Sequence, residues 1–472
     1  MTTTPLKTRF APSPSGLLHL GNLRTALFNA LLARSADGRF LLRIEDTDAD
    51  RSEERYVDAL QHDLQWLGLD WQEGPGAEAH SGPYRQSLRE AMYQSLFQRL
   101  LSEGHAYHCF CSDDELKRAR ERQRAAGKPP RYAGTCAGIP REQAESRIEA
   151  GEPATLRFRV PPGKQIVFQD LVRGEQRFAS NDLGDFIIRR ADGSAAFLFC
   201  NAVDDSAMQV SQVLRGEDHL TNTPRQCLVL DAIGLPRPQW GHLPMILGED
   251  GAPLSKRNGS RSVQELRDSG ILPAALLNYL ARLGHADNDH GLKDLQGLAA
   301  TFRLDQIGRA PARYDEQQLL HWQELALRAL SPDALQQWMQ SAAVDLIPAD
   351  RMVAFTEVLA PNVRLFADVR RWARACFSAE LAHDEATTAV FRDAGSPFFA
   401  AAADAADQDW AALTAVVQQQ TGARGRGLFL PLRLALTGER HGPELAPLHA
   451  MMGPAMVRAR FAQAAGLALS NQ

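Results

Sequence analysis

Residues 9–27 read RFAPSPSGLLHLGNLRTAL, which places a loop rich in proline and glycine between a short strand and a helix. KTRFAP is typical of a buried strand, and apolar residues recur at helical spacing from Asn22 onward. Gly38 then leads into FLLRI, an apolar run typical of a strand in a parallel sheet. This order predicts a βαβ unit whose loop lies at the carboxyl end of the first strand, where open α/β sheets bind ligands.

The loop has the features of a nucleotide site. Glycines let the backbone approach a phosphate, and the helix that begins near Asn22 offers N–H groups and the positive end of its dipole. His19, just before that helix, can donate a hydrogen bond to an oxyanion. An ordinary strand-to-helix turn with a surface histidine explains the same residues, so this stretch alone leaves both interpretations open.

Length and composition indicate a globular protein of several domains. A chain of 472 residues is too long for one core, and its 44% apolar and 23% charged residues are typical of soluble proteins. We find no signal-peptide core and no apolar run of the ~20 residues that span a bilayer, so we expect a cytoplasmic location without membrane contact. The net charge of −5 argues against a uniformly basic nucleic-acid-binding surface but permits a local basic face.

The α/β pattern is interrupted between Cys109 and about Phe199 and then resumes. The interrupting region has a charged helix at DDELKRARERQRAAG and a predicted hairpin at FIIRRADGSAAFLF, which turns at Asp192-Gly193. Asn222-Thr223-Pro224 predicts a capped helix start with proline in the first turn. Beyond Ser260 the sequence is almost purely helical in pattern.

A second glycine-flanked loop reads GAPLSKRNGS at residues 251–260. Its sequence predicts an exposed, mobile loop tipped with cations. A lysine on such a loop can neutralise the charge that develops on a departing pyrophosphate. A simple solvated loop accounts for the same residues.

Together, the two loops resemble the paired signatures of class I aminoacyl-tRNA synthetases. His19-Leu20-Gly21-Asn22 resembles the His-Ile-Gly-His type, and Pro253-Leu254-Ser255-Lys256-Arg257 resembles the Lys-Met-Ser-Lys-Ser type. Seven stretches look specifically like glutamyl-tRNA synthetases, and they extend over nearly the whole chain: RFAPSPSG, LRIEDTD, WLGLDW, RGEDHLTNTPRQ, LLNYLARLG, GLFLPLRLALTG and HGPEL. Asn22 replaces the second histidine of the first signature. Pro253 replaces the first lysine of the second, which leaves Lys256 with the loop's principal charge.

The resemblance implies an α/β fold in which a class I Rossmann-type catalytic domain carries an α/β insertion and precedes an all-α anticodon-binding region. The implied segments are the first half of the catalytic domain (1–108), an inserted domain that binds the acceptor end (109–199), the second half of the catalytic domain (200–250), the signature loop with a helical stem-contact domain (251–325), and a helical anticodon-binding domain (326–472).

The implied reaction uses ATP and Mg²⁺ to activate L-glutamate as glutamyl-adenylate and then transfers the glutamyl group to the 3′ end of tRNA(Glu). The resemblance also implies that activation requires bound tRNA, and it leaves open whether tRNA(Gln) is a further acceptor. The expected catalytic residues are His19 and Lys256. The expected ATP-binding residues are His19, Gly21, Asn22, Glu217, Ser255 and Lys256. We expect a monomer.

The glutamate pocket can be argued from charge. Glutamate has two carboxylates and one ammonium, so its pocket needs two cations and one anion, which Arg9, Arg215 and Glu45 supply from three strand ends. An arginine fork holds a carboxylate through two hydrogen bonds, and glutamine would leave that cation unpaired. The resemblance assigns glutamate binding to Arg9, Ala11, Ser13, Glu45, Phe197, Asn201 and Arg215. Phe197 stands where the family often has a tyrosine.

Several of these residues are also compatible with roles outside a glutamate pocket. Arg9 fits a surface position on its strand equally well, and Glu45 fits the capping of a turn. The acidic stretch EDTD is also compatible with a two-metal site.

Cys109, Cys111 and Cys136 supply three thiolates for a tetrahedral metal ion. Tyr132 resembles the fourth ligand of the related glutamyl-queuosine tRNA synthetases, so the resemblance implies one structural Zn²⁺ per chain. Gly138 stands where other zinc-binding members have a histidine. Three reduced thiols near a hairpin are the alternative.

Three other functions share parts of this pattern. Glutaminyl-tRNA synthetases share the catalytic half but resemble β-barrels at the C-terminus, and glutamyl-queuosine tRNA synthetases lack an anticodon-binding domain. A non-catalytic tRNA-binding paralogue would be expected to lack His19 or Lys256. The helical C-terminal pattern and the presence of both residues favour the glutamyl enzyme.

Overall fold

Strand β1 (Lys7–Phe10), helix α1 (Leu20–Ser35) and strand β2 (Arg39–Leu42) form the predicted βαβ unit. The two strands pair in parallel and are buried along almost their whole length, as expected for a parallel sheet covered on both faces. The structure is a computed structural model that describes residues 5–48, 52–77, 81–254, 261–286 and 289–469.

The chain divides into two compact units. The first comprises Met1–Glu265 and Pro273–Trp322, and the second comprises Leu266–Leu272 and Gln323–Gln472. The helices and strands that follow β2, up to residue 328, are α2 (Glu54–Trp66), α3 (Glu90–Ser102), β3 (Ala106–Cys109), α4 (Asp113–Ala125), α5 (Arg141–Glu149), β4 (Thr155–Phe158), β5 (Gln165–Asp170), β6 (Gly174–Ala179), β7 (Phe186–Arg189), α6 (Phe197–Ala207), β8 (Gln212–Gly216), α7 (Thr223–Ala232), β9 (Gln239–Leu243), β10 (Ile246–Leu247), α8 (Val263–Asp268), α9 (Pro273–Arg282), α10 (Leu295–Thr301), β11 (Ala312–Arg313) and α11 (Glu316–Arg328).

The main sheet brings together strands from distant parts of the sequence. Four strands lie in the order β6-β5-β9-β8, and the three strands β5, β9 and β8 are parallel. Strands β1 and β2 form a separate two-stranded sheet, and β1 lies beside β8. Ser211, just before β8, donates its backbone N–H to the carbonyl of Lys7, and the Asn29 amide on α1 bonds the backbone of Leu214 in both directions. The carboxyl ends of β1, β2 and β8 therefore meet at one edge, where the sequence predicted a ligand site.

The predicted inserted segment contributes to two sheets. Strands β3, β4 and β7 form a separate antiparallel sheet, whereas β5 pairs with β9 of the main sheet. The charged helix predicted at DDELKRARERQRAAG is α4, and a capping box at Ser112 and Glu115 fixes its start.

The predicted hairpin at FIIRRADGSAAFLF is wrong beyond its turn. Arg189 and Ala195 form one antiparallel bridge, and the backbone then enters helix α6 at Phe197. Helix α6 buries Phe199, Ala202 and Val203 at helical spacing. A short apolar run such as AAFLF fits a strand or a buried helix equally well, so periodicity could not distinguish them.

The predicted cap of α7 is also wrong in its chemistry. Asn222 occupies the N-cap position, but its side chain makes no capping bond and instead lies 3.2 Å from Nδ1 of His219. Thr223 donates its N–H to the carbonyl of Leu220 in the preceding turn, and Pro224 has no N–H. The helix start therefore needs little capping from a side chain.

From residue 332 onward the regular structure of the described chain is helical. The helices are α12 (Pro332–Ala343), α13 (Met352–Leu359), α14 (Phe366–Phe377), α15 (Glu385–Ala394), α16 (Ser396–Asp404), α17 (Trp410–Thr421), α18 (Arg426–Thr437), α19 (Leu445–Met452) and α20 (Pro454–Leu469). They share one apolar core that includes Phe355, Trp372 and Phe399. Within the described ranges, no helix combines the length and apolar character needed to span a bilayer.

Candidate active site

A cavity of about 390 Å³ lies at the carboxyl ends of β1 and β8. The predicted residues that line it are Arg9, Ala11, Ser13, His19, Gly21, Asn22, Glu45, Phe197, Asn201 and Arg215. The predicted glutamate and nucleotide residues thus lie around one space, although they come from separate parts of the chain. Glu217 does not line the cavity, since its carboxylate pairs with Arg173 and accepts the N–H of Met245 at 2.9 Å. Ser255 and Lys256 lie outside the described residues.

The amino end of α1 faces this cavity. His19 is the N-cap residue, with extended backbone and an exposed side chain, and it makes no capping hydrogen bond in the described chain. The first turn of α1 contains no acidic residue, so no carboxylate of its own neutralises the positive end of the helix dipole. Gly21 and Asn22 lie in that turn, and backbone N–H groups at such an end bind phosphate oxygens.

Arg9 is held by an acid that the sequence did not single out. Its Nε and one terminal nitrogen lie 3.2 and 3.3 Å from the two carboxylate oxygens of Asp205 on α6. Burial alone would raise the pKa of Asp205, but Arg9 and Arg43 outweigh it and lower that pKa. The carboxylate of Asp205 therefore stays ionised and fixes the Arg9 side chain in one orientation.

Arg43 links Asp205 to Glu45. It donates to Asp205 at 2.7 Å and to Glu45 at 3.0 Å, and Glu45 also accepts from the Asn201 amide at 2.6 Å. Burial raises the pKa of Glu45, although Arg43 and Arg9 oppose that rise. An ammonium group beside Glu45 would favour its ionised form, so this carboxylate is suited to an amino group.

Among the described residues, Arg215 is a buried cation without an ion-pair partner. It is 4% exposed, and no carboxylate oxygen of the described residues lies within 4.0 Å of its guanidinium. Its hydrogen-bond acceptors are the neutral groups of His242, Asn201, Thr223 and Gln226. Burial and the nearby charge of Arg9 lower the pKa of Arg215 to about 9. An anionic ligand would relieve both effects.

The charges around the cavity complement glutamate. Arg9, Arg24 and Arg215 line the cavity as three positive charges and Glu45 and Asp218 as two negative ones, while Arg43 and Asp205 behind the lining pair with each other. Glutamate, with two carboxylates and one ammonium, carries the opposite net charge. The sequence signal for the two residues that were not predicted was a charge inside an apolar run, Arg43 in FLLRI and Asp205 in FLFCNAVDDSA.

Phe197 lies against His219 at one side of the cavity, with ring centroids 5.3 Å apart. Burial and the charge of Arg215 lower the pKa of His219 to about 4. The His219 ring is therefore neutral near pH 7 and adds no third cation for a ligand carboxylate.

The predicted metal-binding residues also come together. The sulfur atoms of Cys109, Cys111 and Cys136 all lie within 4.8 Å of one another, and those of Cys111 and Cys136 are 3.6 Å apart. The Tyr132 hydroxyl lies 3.3 Å from the sulfur of Cys109 and 3.6 Å from that of Cys111. Thiolates around a tetrahedral zinc ion, with Zn–S bonds of about 2.3 Å, are separated by about 3.8 Å, so this donor set fits the ion.

Comparison with known proteins identifies the class. Residues 5–321 match "tRNA synthetases class I (E and Q), catalytic domain", and residues 324–465 match "Anticodon binding domain". The chain therefore belongs to the class I tRNA synthetases of the glutamate and glutamine group. The predicted Rossmann-type catalytic domain with a helical C-terminal anticodon-binding region is confirmed.

Named relatives show which members of this class the chain is similar to. The chain is 59% identical to glutamate–tRNA ligase 2 of Nitrosococcus oceani over 98% of both chains, and 55% identical to glutamate–tRNA ligase 2 of Alkalilimnicola ehrlichii over 100% of both. The crystal structure of a glutamate tRNA ligase from Elizabethkingia meningosepticum in complex with its amino acid matches with a TM-score of 0.84 at 25% identity, covering 98% of this chain and 99% of that one.

Proposed function

We propose that this chain is a glutamate–tRNA ligase. In the first step a carboxylate oxygen of glutamate attacks the α-phosphorus of ATP, and the bond from that phosphorus to pyrophosphate breaks. In the second step a hydroxyl of the terminal tRNA ribose attacks the glutamyl carbonyl carbon, and AMP leaves. The observation that carries the proposal is Arg215, a buried cation that has no carboxylate within ion-pair distance in the described chain and shares its cavity with Arg9 and Glu45.

The roles within the cavity follow from charge. Arg9 and Arg215 bind the two carboxylates of glutamate and Glu45 binds its ammonium group, while Ala11, Ser13, Phe197 and Asn201 shape the pocket. His19, Gly21 and Asn22 bind ATP at the start of α1, where the helix dipole favours phosphate. Ser255 and Lys256 complete the ATP site in this proposal, whereas Glu217, which pairs with Arg173 outside the cavity lining, is not assigned to it. His19 and Lys256 stabilise charge at the reacting phosphate, and Mg²⁺ would balance the other phosphate charges.

The test is ATP–pyrophosphate exchange, measured with glutamate or glutamine in the presence of tRNA(Glu). We assign the side-chain carboxylate of glutamate to Arg215. We therefore expect exchange with glutamate and little with glutamine, since the side-chain amide would leave Arg215 buried without an anion. Exchange that depends on glutamine, or no exchange with either amino acid, would contradict the proposal.

The same assay tests the requirement for tRNA. We expect exchange with glutamate near background without tRNA and a large increase when tRNA(Glu) is added, because a large ligand can shift a site toward its productive geometry. Oxidising the terminal ribose of the tRNA provides the control, because it blocks transfer but leaves tRNA binding possible. Strong exchange without any tRNA would contradict this prediction. Charging of tRNA(Gln) is measured in parallel to test whether this tRNA is a further acceptor.

We also propose that the segment between β3 and β7 holds the acceptor end of the tRNA. A cavity of about 740 Å³ there is lined by several arginines, including Arg118, Arg122, Arg157 and Arg225. Guanidinium groups bind phosphates through paired hydrogen bonds, which suits the tRNA backbone. We also propose that the protein is a monomer and that it acts in the cytoplasm.

We propose one structural Zn²⁺ per chain, bound by Cys109, Cys111, Cys136 and Tyr132. Burial alone would raise the pKa of Cys109, but hydrogen bonds with Tyr132 and Arg157 outweigh it and lower that pKa to about 7. Burial raises the pKa of Cys111 to about 11. A bound cation would favour the thiolate form of both.

Metal analysis checks the zinc proposal. We expect about one zinc per chain in protein never exposed to a chelator, and Cys109→Ser should lose most of it because three ligands remain. Cys376→Ala is the matched control, since it removes a buried thiol from the helical core of the second unit and should leave the zinc content unchanged. Zinc-free protein would favour three reduced thiols.

A further inference from the structure

Arg215 is held by a chain of buried groups that the sequence did not predict. Its Nε lies 3.2 Å from Nε2 of His242, and Nδ1 of His242 is hydrogen-bonded to Oδ2 of Asp170. The three residues lie on the neighbouring strands β8, β9 and β5. His242 is completely buried and Asp170 is 2% exposed.

The hydrogen bonds of Asp170 determine which atoms donate and which accept between Asp170, His242 and Arg215. Oδ1 of Asp170 accepts the backbone N–H groups of Val172, Arg173 and His242 at 2.9, 2.8 and 3.2 Å, which leaves Oδ2 for His242 Nδ1. A guanidinium can only donate, so Nε2 of His242 must accept and the ring proton must lie on Nδ1. Burial lowers the pKa of His242. Burial would raise the pKa of Asp170, but its hydrogen bonds outweigh burial and lower it, so the pair is a neutral imidazole beside a carboxylate.

The contacts of Arg215 show what this anchoring achieves. A guanidinium has five N–H bonds. In the described chain, Nε donates to His242, one terminal nitrogen donates to Thr223 at 2.8 Å and Gln226 at 2.7 Å, and the other donates to Asn201 at 3.4 Å. One edge of the guanidinium is therefore fixed, and the terminal nitrogen near Asn201 keeps an N–H for a ligand.

We propose that Asp170 and His242 are positioning residues that set glutamate specificity through Arg215. Asp170 selects the tautomer in which His242 can accept from Arg215, and His242 then holds the guanidinium so that it meets the substrate carboxylate. This inference rests on the proposed function, because it requires Arg215 to bind glutamate.

Asp170→Asn tests the tautomer directly. The three backbone donors still need an oxygen, so the asparagine carbonyl takes the place of Oδ1 and the amide nitrogen faces His242. Nδ1 must then accept, which places the ring proton on Nε2. That proton can be donated to the Thr223 hydroxyl, which lies 3.0 Å from Nε2, but Nε2 can no longer accept from Arg215. We expect kcat/KM for glutamate to fall about 10–100-fold, with KM for ATP unchanged and less discrimination against glutamine.

A double-mutant cycle separates positioning from stability. His242→Gln keeps an acceptor oxygen for Arg215 and has no tautomer, so it should retain most of the activity, and Asp170→Asn should have little further effect in that background. His242→Leu removes the acceptor and should lose kcat/KM for glutamate about 10–100-fold. His285→Leu, a packing histidine between Phe28 and Phe302, controls for instability in the same unit.

Each outcome decides for or against the inference. Wild-type exchange with glutamate is measured first, and its absence would remove the proposed function itself. If wild type is active, additive effects of Asp170→Asn and His242→Gln on kcat/KM for glutamate would overturn the inference. Equal losses of kcat/KM in His242→Leu and His242→Gln would also overturn it. So would an Asp170→Asn variant whose ratio of kcat/KM for glutamate to that for glutamine equals the wild-type ratio. A melting temperature that falls as in His285→Leu, with the ratio unchanged, would show a purely structural role.

Discussion

Replacing Arg215 with methionine is expected to reduce kcat/KM for glutamate by about 10³-fold or more, because the substrate carboxylate would enter a buried site without its cation. The loss should appear in exchange assays that contain saturating ATP and tRNA(Glu). The thermal midpoint, measured on the same preparations, shows whether the variant is folded. Methionine has a similar length and removes a desolvated charge, but it leaves the buried acceptors of His242, Asn201, Thr223 and Gln226 without their donor, so a lower thermal midpoint is expected and activity is compared below it.

Arg237→Met is the matched control for this substitution. Arg237 pairs with Asp231 near the surface of the same unit, and exposed ion pairs contribute little to stability. Its exchange activity should stay within about twofold of wild type. Arg215→Met retaining glutamate-specific activity close to that of Arg237→Met would contradict the assignment of Arg215.

The buried charges explain how such a pocket can exist before substrate binds. Arg9, Arg43, Asp205 and Glu45 form a continuous set of ion pairs with almost no exposed surface. Buried charges are tolerated when each is paired and hydrogen-bonded, and breaking one pair leaves its partner uncompensated. Among the described residues around this cavity, Arg24 and Arg215 depart from this rule. Arg24 donates to the backbone carbonyls of Leu283 and Pro244, whereas Arg215 lies at the end of β8 beside Asn201, so the specificity argument centres on Arg215.

The pairing of these residues also bears on the need for tRNA. Arg9, Glu45 and Arg215 come from separate strand ends, but hydrogen bonds through Asp205, Arg43 and Asn201 already connect them. Assembly of the glutamate pocket is therefore a weak reason for tRNA dependence. The physical effect of tRNA is better sought at the ATP-binding side of the cavity.

Local patterns predicted the elements that depend on local chemistry. The βαβ unit followed from KTRFAP, the periodicity after Asn22 and FLLRI, and helix α4 followed from its charged sequence. The hairpin at FIIRRADGSAAFLF failed because AAFLF is short and apolar, so only its packing on the rest of the unit decides that it is a helix.

The residues of the candidate site also divide into those that the sequence predicted and those that it did not. Residues that belong to a recognisable signature, such as His19 and Arg215, were predicted from the sequence, whereas the acids and the histidine that hold Arg9 and Arg215 in place were not. Arg9 and Asp205 lie 196 residues apart, and Asp170 and His242 lie 72 apart. A buried ion pair leaves only a weak sequence signal, a charge within an apolar run, and that signal does not identify the partner.

His19→Ala is expected to slow adenylate formation by about 10²–10³-fold while changing KM for glutamate little, because a hydrogen bond to the reacting phosphate strengthens as charge develops in the transition state. His19 lines the cavity at the start of α1, on the side proposed for ATP, so its loss should leave the ion pairs around Arg9 and Glu45 intact. Lys256→Ala should act in the same direction, because its charge matters most as pyrophosphate leaves. Single-turnover measurement of adenylate formation with bound tRNA separates this chemical step from later transfer.

Two further substitutions at His19 distinguish the loss of its hydrogen-bond donor from the loss of its bulk. His19→Gln keeps an N–H donor of similar reach and should recover part of the rate, whereas His19→Leu fills the space without a donor and should resemble alanine. His105→Ala, just after α3 on the surface of the same unit, removes an exposed histidine away from the cavity and should be neutral. If His19→Leu is as active as His19→Gln, the backbone N–H groups and dipole of α1 are sufficient to bind the phosphate, and His19 has no catalytic role.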